Sequence, residues 1–497
     1  MARIKDLFLT SMGGRTLIKT KSIAKSFAFL SIYSVLNLLI PIITAPYVSR
    51  ILEADGIGKV AYAQNIVTYF ILLASLGIPN YAVREIAKVQ LDKKLRDKTF
   101  FEIFIVNLIA TVISSVLYYG CIYTFDYFAT NRALYSIVGI SLALNVFNID
   151  WFYTGTEDFK FITIRGILIK LISVFCIFIF VHKKEDFYIY TLILTLATSF
   201  NYVINIIHLR KLVSRPTEQL EFKHHLRPIT VLLFTALAVN LYTLLDTTMI
   251  GYLCDDVYVG YYSNAMKLSK LMAVAIASIG TVLLPRISLY YHQNQTSELS
   301  RLASKAISFI VFVSVPCAVG MTLISDDFVF LMFGPTFGPA GLTMKILSWL
   351  VPILSIGNIF ATPIMMATGN EKRLMYTVFL GAGVNIVLNA FLIPIYQQNG
   401  AAIASVAAEF VVMVAQIIMT RNIVKINISK HFMFSTMIQI LAMVISIELV
   451  LMVDVNQYIR AVSEVVVGVV IYTGVGLLIR NEIELEVIRK ILKRKAY

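Results

Sequence analysis

Two lysines inside a strongly apolar segment are the residues whose placement most needs a chemical explanation. Lys267 and Lys270 occur within the run 257–284, each ten or more residues from its start. On a helix they are about 60° apart, so they share one face. A charged side chain at membrane depth costs a few kcal/mol and must therefore pair with an opposite charge or line water. We predict that both lysines form the cationic wall of a water-filled cavity that binds an anion, and pairing with a carboxylate such as Asp246 is the alternative.

Uncharged polar residues and one further lysine also lie within apolar runs. Each of them must face protein or water rather than lipid. Structural roles inside the helix bundle are the alternative for every one of them. The further candidates for the cavity are Asn37, Gln64, Asn65 and Lys170.

A second group of residues suits gating or coupling. Asp246 and Glu409 are acids inside apolar runs, so each could carry a coupling ion or form a structural pair. Arg84 and Arg286 lie at the ends of runs, where they either anchor a helix at the membrane surface or first meet a phosphate. We interpret them as candidates for a gate on that side.

Arg50 and Glu53 lie close together in a short connection on the opposite side of the membrane. Opposite charges this close favour an ion pair. We predict an external gate pair, with an ordinary surface salt bridge as the alternative.

No enzyme, nucleotide or metal motif accompanies these residues. The histidines form no HExxH pair, and the chain contains neither a P-loop nor a strand-to-helix GxSxG. The four cysteines are far apart and form no CxxC pair. We therefore expect a protein that is not an enzyme and has no cofactor or metal, with a coupling proton or sodium ion left open.

The elements that hold these residues are apolar runs long enough to cross a membrane. Hydrophobic residues make up 58% of the 497 and charged residues only 14%, against about 25% charged in an ordinary soluble domain. A spanning helix needs about 20 mostly apolar residues, and we count fourteen such runs. They lie near 24–49, 57–80, 99–124, 132–153, 161–181, 187–209, 229–253, 257–284, 303–325, 341–366, 374–396, 400–420, 432–453 and 460–479.

Basic residues set the predicted orientation. Most of the 43 Lys and Arg residues lie in alternate connections and at the two chain ends, which places both termini in the cytoplasm. They account for most of the net charge of +14, and their dispersal over short loops argues against nucleic-acid binding. The opposite side holds only Arg50, Lys59, Arg132, Lys183, Lys184 and Arg460.

A weak internal repeat appears when the sequence is shifted by 202 residues. The repeated helices cross the membrane in the same sense, so the repeat is parallel. We predict an all-α polytopic membrane protein with two six-helix lobes and two additional C-terminal helices. The aligned identities are Gly58 with Gly260, Ala63 with Ala265, and Arg84 with Arg286, and Asn65 aligns with Lys267. The predicted divisions are an N-terminal cytoplasmic segment 1–22, an N-lobe 23–209, an inter-lobe loop 210–228, a C-lobe 229–421, helices thirteen and fourteen at 432–479, and a basic tail 480–497.

Several motifs resemble those of one family. The segment PIITAPYVSRILEADGIGKVAYAQN at 41–65 resembles the opening hairpin of bacterial polysaccharide flippases of the Wzx type, and GIPNYAVREIA at 77–87 is similar to the same family. DTTMIG at 246–251 and VGYYSNAMKL at 259–268 also resemble it. The resemblance covers most of the chain in length, topology and motif order.

The resemblance implies a fold and a substrate. The family belongs to the multidrug/oligosaccharidyl-lipid/polysaccharide exporter superfamily, whose lobes form a V. Its members move undecaprenyl-pyrophosphate-linked oligosaccharides across the bacterial cytoplasmic membrane, with polymerases and other polysaccharide-assembly proteins as candidate partners. Related flippases use cationic cavity residues, and Lys267 and Lys270 occupy a matching helix. They also place arginines in the first helix, whereas this chain has no charge between Lys25 and Arg50.

Three other functions stay open on the sequence. A multidrug-type antiporter of the same superfamily would favour acids in its cavity. A membrane polysaccharide polymerase or ligase would carry a large external loop, and here the external loops are short. A scaffold for envelope enzymes would need no charge inside the membrane.

Overall fold

Long helices account for almost all of the chain that the structure covers. The computed structural model describes residues 23–486, and no strand occurs among them. The predicted segment 1–22, the end of the basic tail from 487 and the Asn37 side chain lie outside the described residues. The helices are α1 Ile23–Ser75, α2 Ile78–Val89, α3 Lys93–Thr124, α4 Arg132–Ala143, α5 Asp150–Gly155, α6 Phe159–Phe180, α7 Phe187–Leu209, α8 Lys223–Leu253, α9 Asp256–His292, α10 Thr296–Phe333, α11 Ala340–Leu347, α12 Leu350–Ile359, α13 Glu371–Thr420, α14 Lys430–Leu451 and α15 Gln457–Leu478.

The predicted all-α membrane fold is confirmed, but the count of fourteen spans is not. Within residues 23–486, ten helices are long and apolar enough to cross a membrane, or eleven if the bent α9 counts as one span. Two of the ten contain 51 and 50 residues, which at 1.5 Å per residue is about 75 Å, more than twice the hydrocarbon core. These two long helices account for part of the difference.

Both long helices contain one residue with left-handed backbone. Glu53 has φ 55° within α1, and Gln397 has φ 50° within α13. A residue with positive φ interrupts the right-handed helix, whose residues all have negative φ. Glu53 therefore separates the first predicted span from the second, and Gln397 separates the eleventh from the twelfth.

The tenth predicted span is divided into pieces. It consists of α11, α12 and a π-helical turn, Phe360–Met366, that contains Pro363. Proline removes a backbone donor and clashes with the preceding turn, so an irregular turn at Pro363 is the expected response. Pro352 lies within the first turn of α12, where proline is tolerated.

The two halves of the chain share one hydrophobic core. Its buried members include Val48 and Ala63 from α1 together with Val259 and Ala265 from α9. A separate cluster packs Phe100 of α3 against the aromatic residues of α5 within the first half. Helices α14 and α15 pack on each other and on α10, so the C-terminal pair is attached mainly to the second half, with one contact to α1 where Arg50 lies over the Tyr458 ring.

The inter-lobe segment is bound to the first half. The loop is shorter than predicted because α8 begins at Lys223. The Ser214 amide donates to Asp97 at 2.9 Å, and His225 at the start of α8 lies 3.0 Å from Glu102. The first turn of α8 is therefore fixed to the N-terminal half.

Candidate functional site

A polar cavity of about 860 Å³ lies between the two halves. The middle of α1, the C-terminal end of the fourth predicted span, and helices α6, α7 and α9 form its walls. Its lining contains four cations and one carboxylate among the described residues, so an anion is the ligand that its charge favours. The polar lining residues are Thr44, Gln64, Asn148, Asp150, Arg165, Lys170, Ser173, Tyr190, Thr198, Asn201, Tyr202, Lys267 and Lys270.

Lys267 and Lys270 line this cavity together, as their spacing on α9 predicts. Both side chains are exposed, and neither forms an ion pair among the residues whose side chains the structure describes. Lys267 lies about 16 Å along α9 from its first residue, near the middle of the predicted span. Two ammonium groups at this depth, solvated by a cavity, can neutralise a ligand with two negative charges.

Lys170 and Gln64 line the same cavity from the first half of the chain. Lys170 lies near the middle of α6, and Gln64 lies on α1 beyond the break at Glu53. The structure thus brings four of the six predicted cavity residues to one space. Their roles in binding stay predictions.

Asn65 lies elsewhere. It is buried, and its side-chain amide donates to the Leu244 carbonyl at 3.1 Å and to the Thr248 hydroxyl at 2.7 Å. It therefore joins α1 to α8 and is not among the residues that line the cavity. Asn65 aligns with Lys267 in the repeat but does not face the cavity. Neighbouring side chains on a helix point about 100° apart, and on this part of α1 the side chain that faces the cavity is that of Gln64.

Arg165 is the cavity residue that sequence reasoning missed. It is buried on α6, and its guanidinium donates to both Asp150 oxygens at 3.0 and 3.1 Å and to Asn201 at 3.0 Å. It also contacts Asn205, whose amide donates to Asp150 at 2.8 Å. Because Arg165 lies near the start of a predicted span, its position in the sequence does not distinguish it from the basic residues that set orientation.

Asp246 lies in a cluster of neutral donors. Its carboxylate accepts hydrogen bonds from Tyr262 and Ser405, each at 2.6 Å, and from Asn385 and Asn389 at 3.0 and 2.6 Å. The alternative of a pair with Lys267 is therefore wrong. The hydrogen-bond partners that the structure gives this carboxylate are all neutral, and such a cluster of oxygen atoms suits binding of a proton or a small cation.

Glu409 and Asp246 line a second cavity, of about 420 Å³, in the C-terminal half. Lys270 lines it as well as the main cavity. One lysine therefore stands between the predicted anion site and the two predicted coupling acids.

The predicted pair of Arg50 and Glu53 is wrong. Arg50 donates to the Leu331 carbonyl at 2.6 Å, whereas Glu53 pairs with Lys184 at 2.6 Å. Glu53 therefore connects α1 to the turn before α7, while Arg50 connects α1 to α10.

Arg84 and Arg286 are both exposed. Arg84 lies 3.3 Å from the neighbouring Glu85 and over the Tyr81 ring. Neither arginine lines a described cavity, so a gating role for them stays a prediction.

Glu102, His224 and His225 offer ligand atoms within 4.8 Å of one another, as a metal site would. His225 already contacts Tyr81 at 2.6 Å and Glu102 at 3.0 Å. These contacts give the two buried residues, Glu102 and His225, a structural role, which is to fix the inter-lobe segment to the N-terminal half.

Two family models match the chain. That described as polysaccharide biosynthesis protein matches residues 23–290, and that described as MatE matches residues 232–391. A putative O-antigen transporter of Escherichia coli K12 is 23% identical over 411 residues, covering 81% of this chain and 97% of the relative. The capsular polysaccharide biosynthesis protein CapF of Staphylococcus aureus is 23% identical over 403 residues, covering 79% and 97%.

Solved structures show the same fold. The lipid II flippase MurJ in an inward closed conformation has a TM-score of 0.76 at 14% identity, covering 91% of this chain and 99% of that one. An inward-facing multidrug transporter of the MATE family has a TM-score of 0.60 at 13% identity, covering 80% and 97%.

Proposed function

Because this chain belongs to the polysaccharide biosynthesis protein family of membrane transporters, we propose that it is a flippase for lipid-linked oligosaccharides. In this proposal it moves undecaprenyl-pyrophosphate-linked repeat units from the inner to the outer leaflet of the bacterial cytoplasmic membrane. The observation that carries the proposal is the cavity lined by Lys170, Lys267 and Lys270 at membrane depth.

The cavity solves the main physical difficulty of such transport. A diphosphate cannot enter hydrocarbon without losing its hydration, and the cost of isolated charges there is many kcal/mol. Lysine ammonium groups replace that hydration, while polar side chains of the same cavity meet the sugar. The polyprenyl chain stays in lipid, so the cavity needs to enclose only the head group.

Alternating access is the proposed mechanism, with both termini in the cytoplasm. With the termini in the cytoplasm, the contacts between α1 and α9 close the end of the cavity that faces the outside of the cell. Asn264 on α9 donates to Ser49 on α1 at 2.8 Å across this contact. The likeness to an inward closed and an inward-facing structure supports a cycle in which the lobes rock about a fixed site.

Coupling to a proton or to sodium is assigned to the Asp246 cluster. Asp246 and Ser405 line the second cavity together with Glu409 and Lys270, and this cavity is the proposed chamber for the coupling ion. Polymerases and other polysaccharide-assembly proteins remain candidate partners because the product emerges in the outer leaflet as their substrate.

The test is a double substitution of the two cavity lysines. Lys267→Gln with Lys270→Gln removes two charges and keeps the side-chain length approximately. We expect lipid-linked repeat units to accumulate on the cytoplasmic side and surface polymer to disappear, with normal amounts of folded protein in the membrane. The matched control is Lys372→Gln with Lys425→Gln, which should leave surface polymer unchanged. Both lysines are exposed, Lys372 in the first turn of α13 and Lys425 in the connection that follows α13. Wild-type polymer in the cavity variant would refute the assignment.

The match to MatE favours one second candidate, a cation-coupled multidrug antiporter. The excess of cations in the main cavity disfavours cationic drugs, because like charges repel at short range. Efflux of ethidium that depends on this chain, together with unchanged surface polymer after its deletion, would favour the antiporter instead.

A further inference from the structure

The walls of the main cavity differ in charge. Lys267 and Lys270 on α9 form no ion pair among the described residues. Arg165 on the opposite wall is bound to Asp150, so this pair is neutral overall. The wall formed by α6 and α7 contributes one further lysine, Lys170, beside this pair, whereas the α9 wall contributes two. An anionic group entering the cavity is therefore attracted more strongly to the α9 wall.

Around the Arg165–Asp150 pair, the wall formed by α6 and α7 is rich in hydrogen-bonding groups that face the cavity. Asp150 keeps 40% of its side chain exposed, whereas the Arg165 side chain is only 5% exposed. A carboxylate has about four lone-pair positions, and those not taken by Arg165 and Asn205 can accept from a ligand. Thr198 is exposed and Tyr202 is half-buried on the same wall.

The wall is also rigid. Arg165 donates to Asp150 and Asn201, and Asn205 donates to Asp150, so α6, α7 and the start of α5 are joined by one hydrogen-bond network. Groups held this way keep their orientation when a ligand arrives, and little entropy is lost on binding. Such a surface can recognise a neutral ligand with several hydroxyl groups.

We propose that the wall formed by Asp150, Arg165, Thr198, Asn201 and Tyr202 is a saccharide subsite, distinct from the lysine wall that holds the diphosphate. This inference rests on the proposed function and assigns the two parts of the head group to opposite walls. The carboxylate and the amides bond sugar hydroxyls, and the Tyr202 ring offers an apolar face to the sugar ring. A substitution in one wall should then change the affinity for the sugar without an equal change in the affinity for the phosphates, and the reverse should hold for the other wall.

The test compares two lipids bound to the full-length protein in nanodiscs. One is undecaprenyl pyrophosphate without sugar, and the other is the lipid-linked repeat unit extracted from the producing cells. The measured quantity is the ratio of their dissociation constants. We expect the wild type to bind the sugar-bearing lipid more tightly. Thr198→Val should reduce that ratio about threefold to tenfold, the loss of one hydrogen bond. Tyr202→Leu, which removes the aromatic face, should also reduce it, and Asp150→Asn should reduce it further.

A matched control is available in α15. Thr473 is exposed, and its hydroxyl donates to the carbonyl four residues earlier, as that of Thr198 does. Thr473→Val should leave the ratio unchanged. Lys267→Gln should weaken both lipids and leave the ratio nearly constant.

The outcomes separate the two proposals. A wild type that binds both lipids equally, or wall variants that keep the wild-type ratio or weaken both lipids equally, would overturn the saccharide subsite and leave the flippase proposal standing. A wild type that binds neither lipid would overturn both.

Discussion

Gly58 and Gly260, which lie 202 residues apart, pack against each other's helix at the contact between α1 and α9. A methyl group on Gly58 would collide with the Asp256 carbonyl, and one on Gly260 would collide with the Ala54 carbonyl. Ala54 and Asp256 are themselves 202 residues apart. The contact is therefore reciprocal, as a twofold axis requires.

A second pair of contacts has the same relation. Asn264 donates to Ser49, and the Tyr62 ring packs on Gly251, where no side chain would fit. Tyr62 aligns with Asn264 and Ser49 with Gly251 under the same offset. These contacts favour a parallel repeat whose axis passes between the two hairpins.

The first prediction concerns closure of this contact. Gly58→Ala or Gly260→Ala places a methyl group against backbone that cannot yield, so α1 and α9 cannot approach fully. We expect a tenfold or greater loss of surface polymer and a shift toward a state open on the outer side. Labelling of an outer-facing cavity cysteine by an impermeant maleimide measures that shift.

The control for this prediction is Gly383→Ala. Gly383 is helical and exposed, and nothing lies within 4 Å of an added methyl group. Its substitution should change neither transport nor labelling. Full activity of both close-contact variants would show that the two helices do not need this approach.

The second prediction concerns the proposed rocking of the lobes. Ser49→Cys with Asn264→Cys replaces a pair whose side-chain atoms are 2.8 Å apart. In a background without the four native cysteines, we expect oxidation to join the two halves and to stop transport, and reduction to restore it. Transport that continues in the oxidised protein would contradict movement at this contact.

The third prediction concerns Asp246. Asp246→Asn replaces a carboxylate with a group that cannot accept all four hydrogen bonds, at a cost of about 1–3 kcal/mol. We expect any effect of sodium on the melting temperature of the wild type to disappear. Ser405→Ala removes one donor and keeps the carboxylate, so it should retain the effect. A wild type whose melting temperature does not respond to sodium would argue against sodium coupling at Asp246.

The fourth prediction concerns which basic residue interacts with Glu53. Glu53 pairs with Lys184 and not with Arg50. In double-mutant cycles on thermal stability we expect no coupling between Arg50 and Glu53, and about 0.2–1 kcal/mol between Glu53 and Lys184, as for an exposed pair. The reverse pattern would restore the gate pair that the sequence suggests.

Reasoning from the sequence succeeded where the free-energy cost of a charge in lipid alone decides where a side chain lies. Lys267 and Lys270 are expensive in lipid, so their exposure to a cavity follows from their position in an apolar run. The same reasoning failed for Arg165, because an arginine near the end of a span is also cheap at the membrane surface. It failed for Arg50 and Glu53 because the backbone turn between them depends on a conformation that the residue types do not indicate.

Lys270 faces both cavities, and this position has a thermodynamic consequence. A cation near Asp246 and an anion in the main cavity both act on the same ammonium group, so binding at one site changes the free energy of binding at the other. The change is reciprocal: an ion that alters the affinity for the lipid tenfold must have its own affinity altered tenfold by the lipid. Measurement of either shift therefore determines the other, whichever ion the chamber holds.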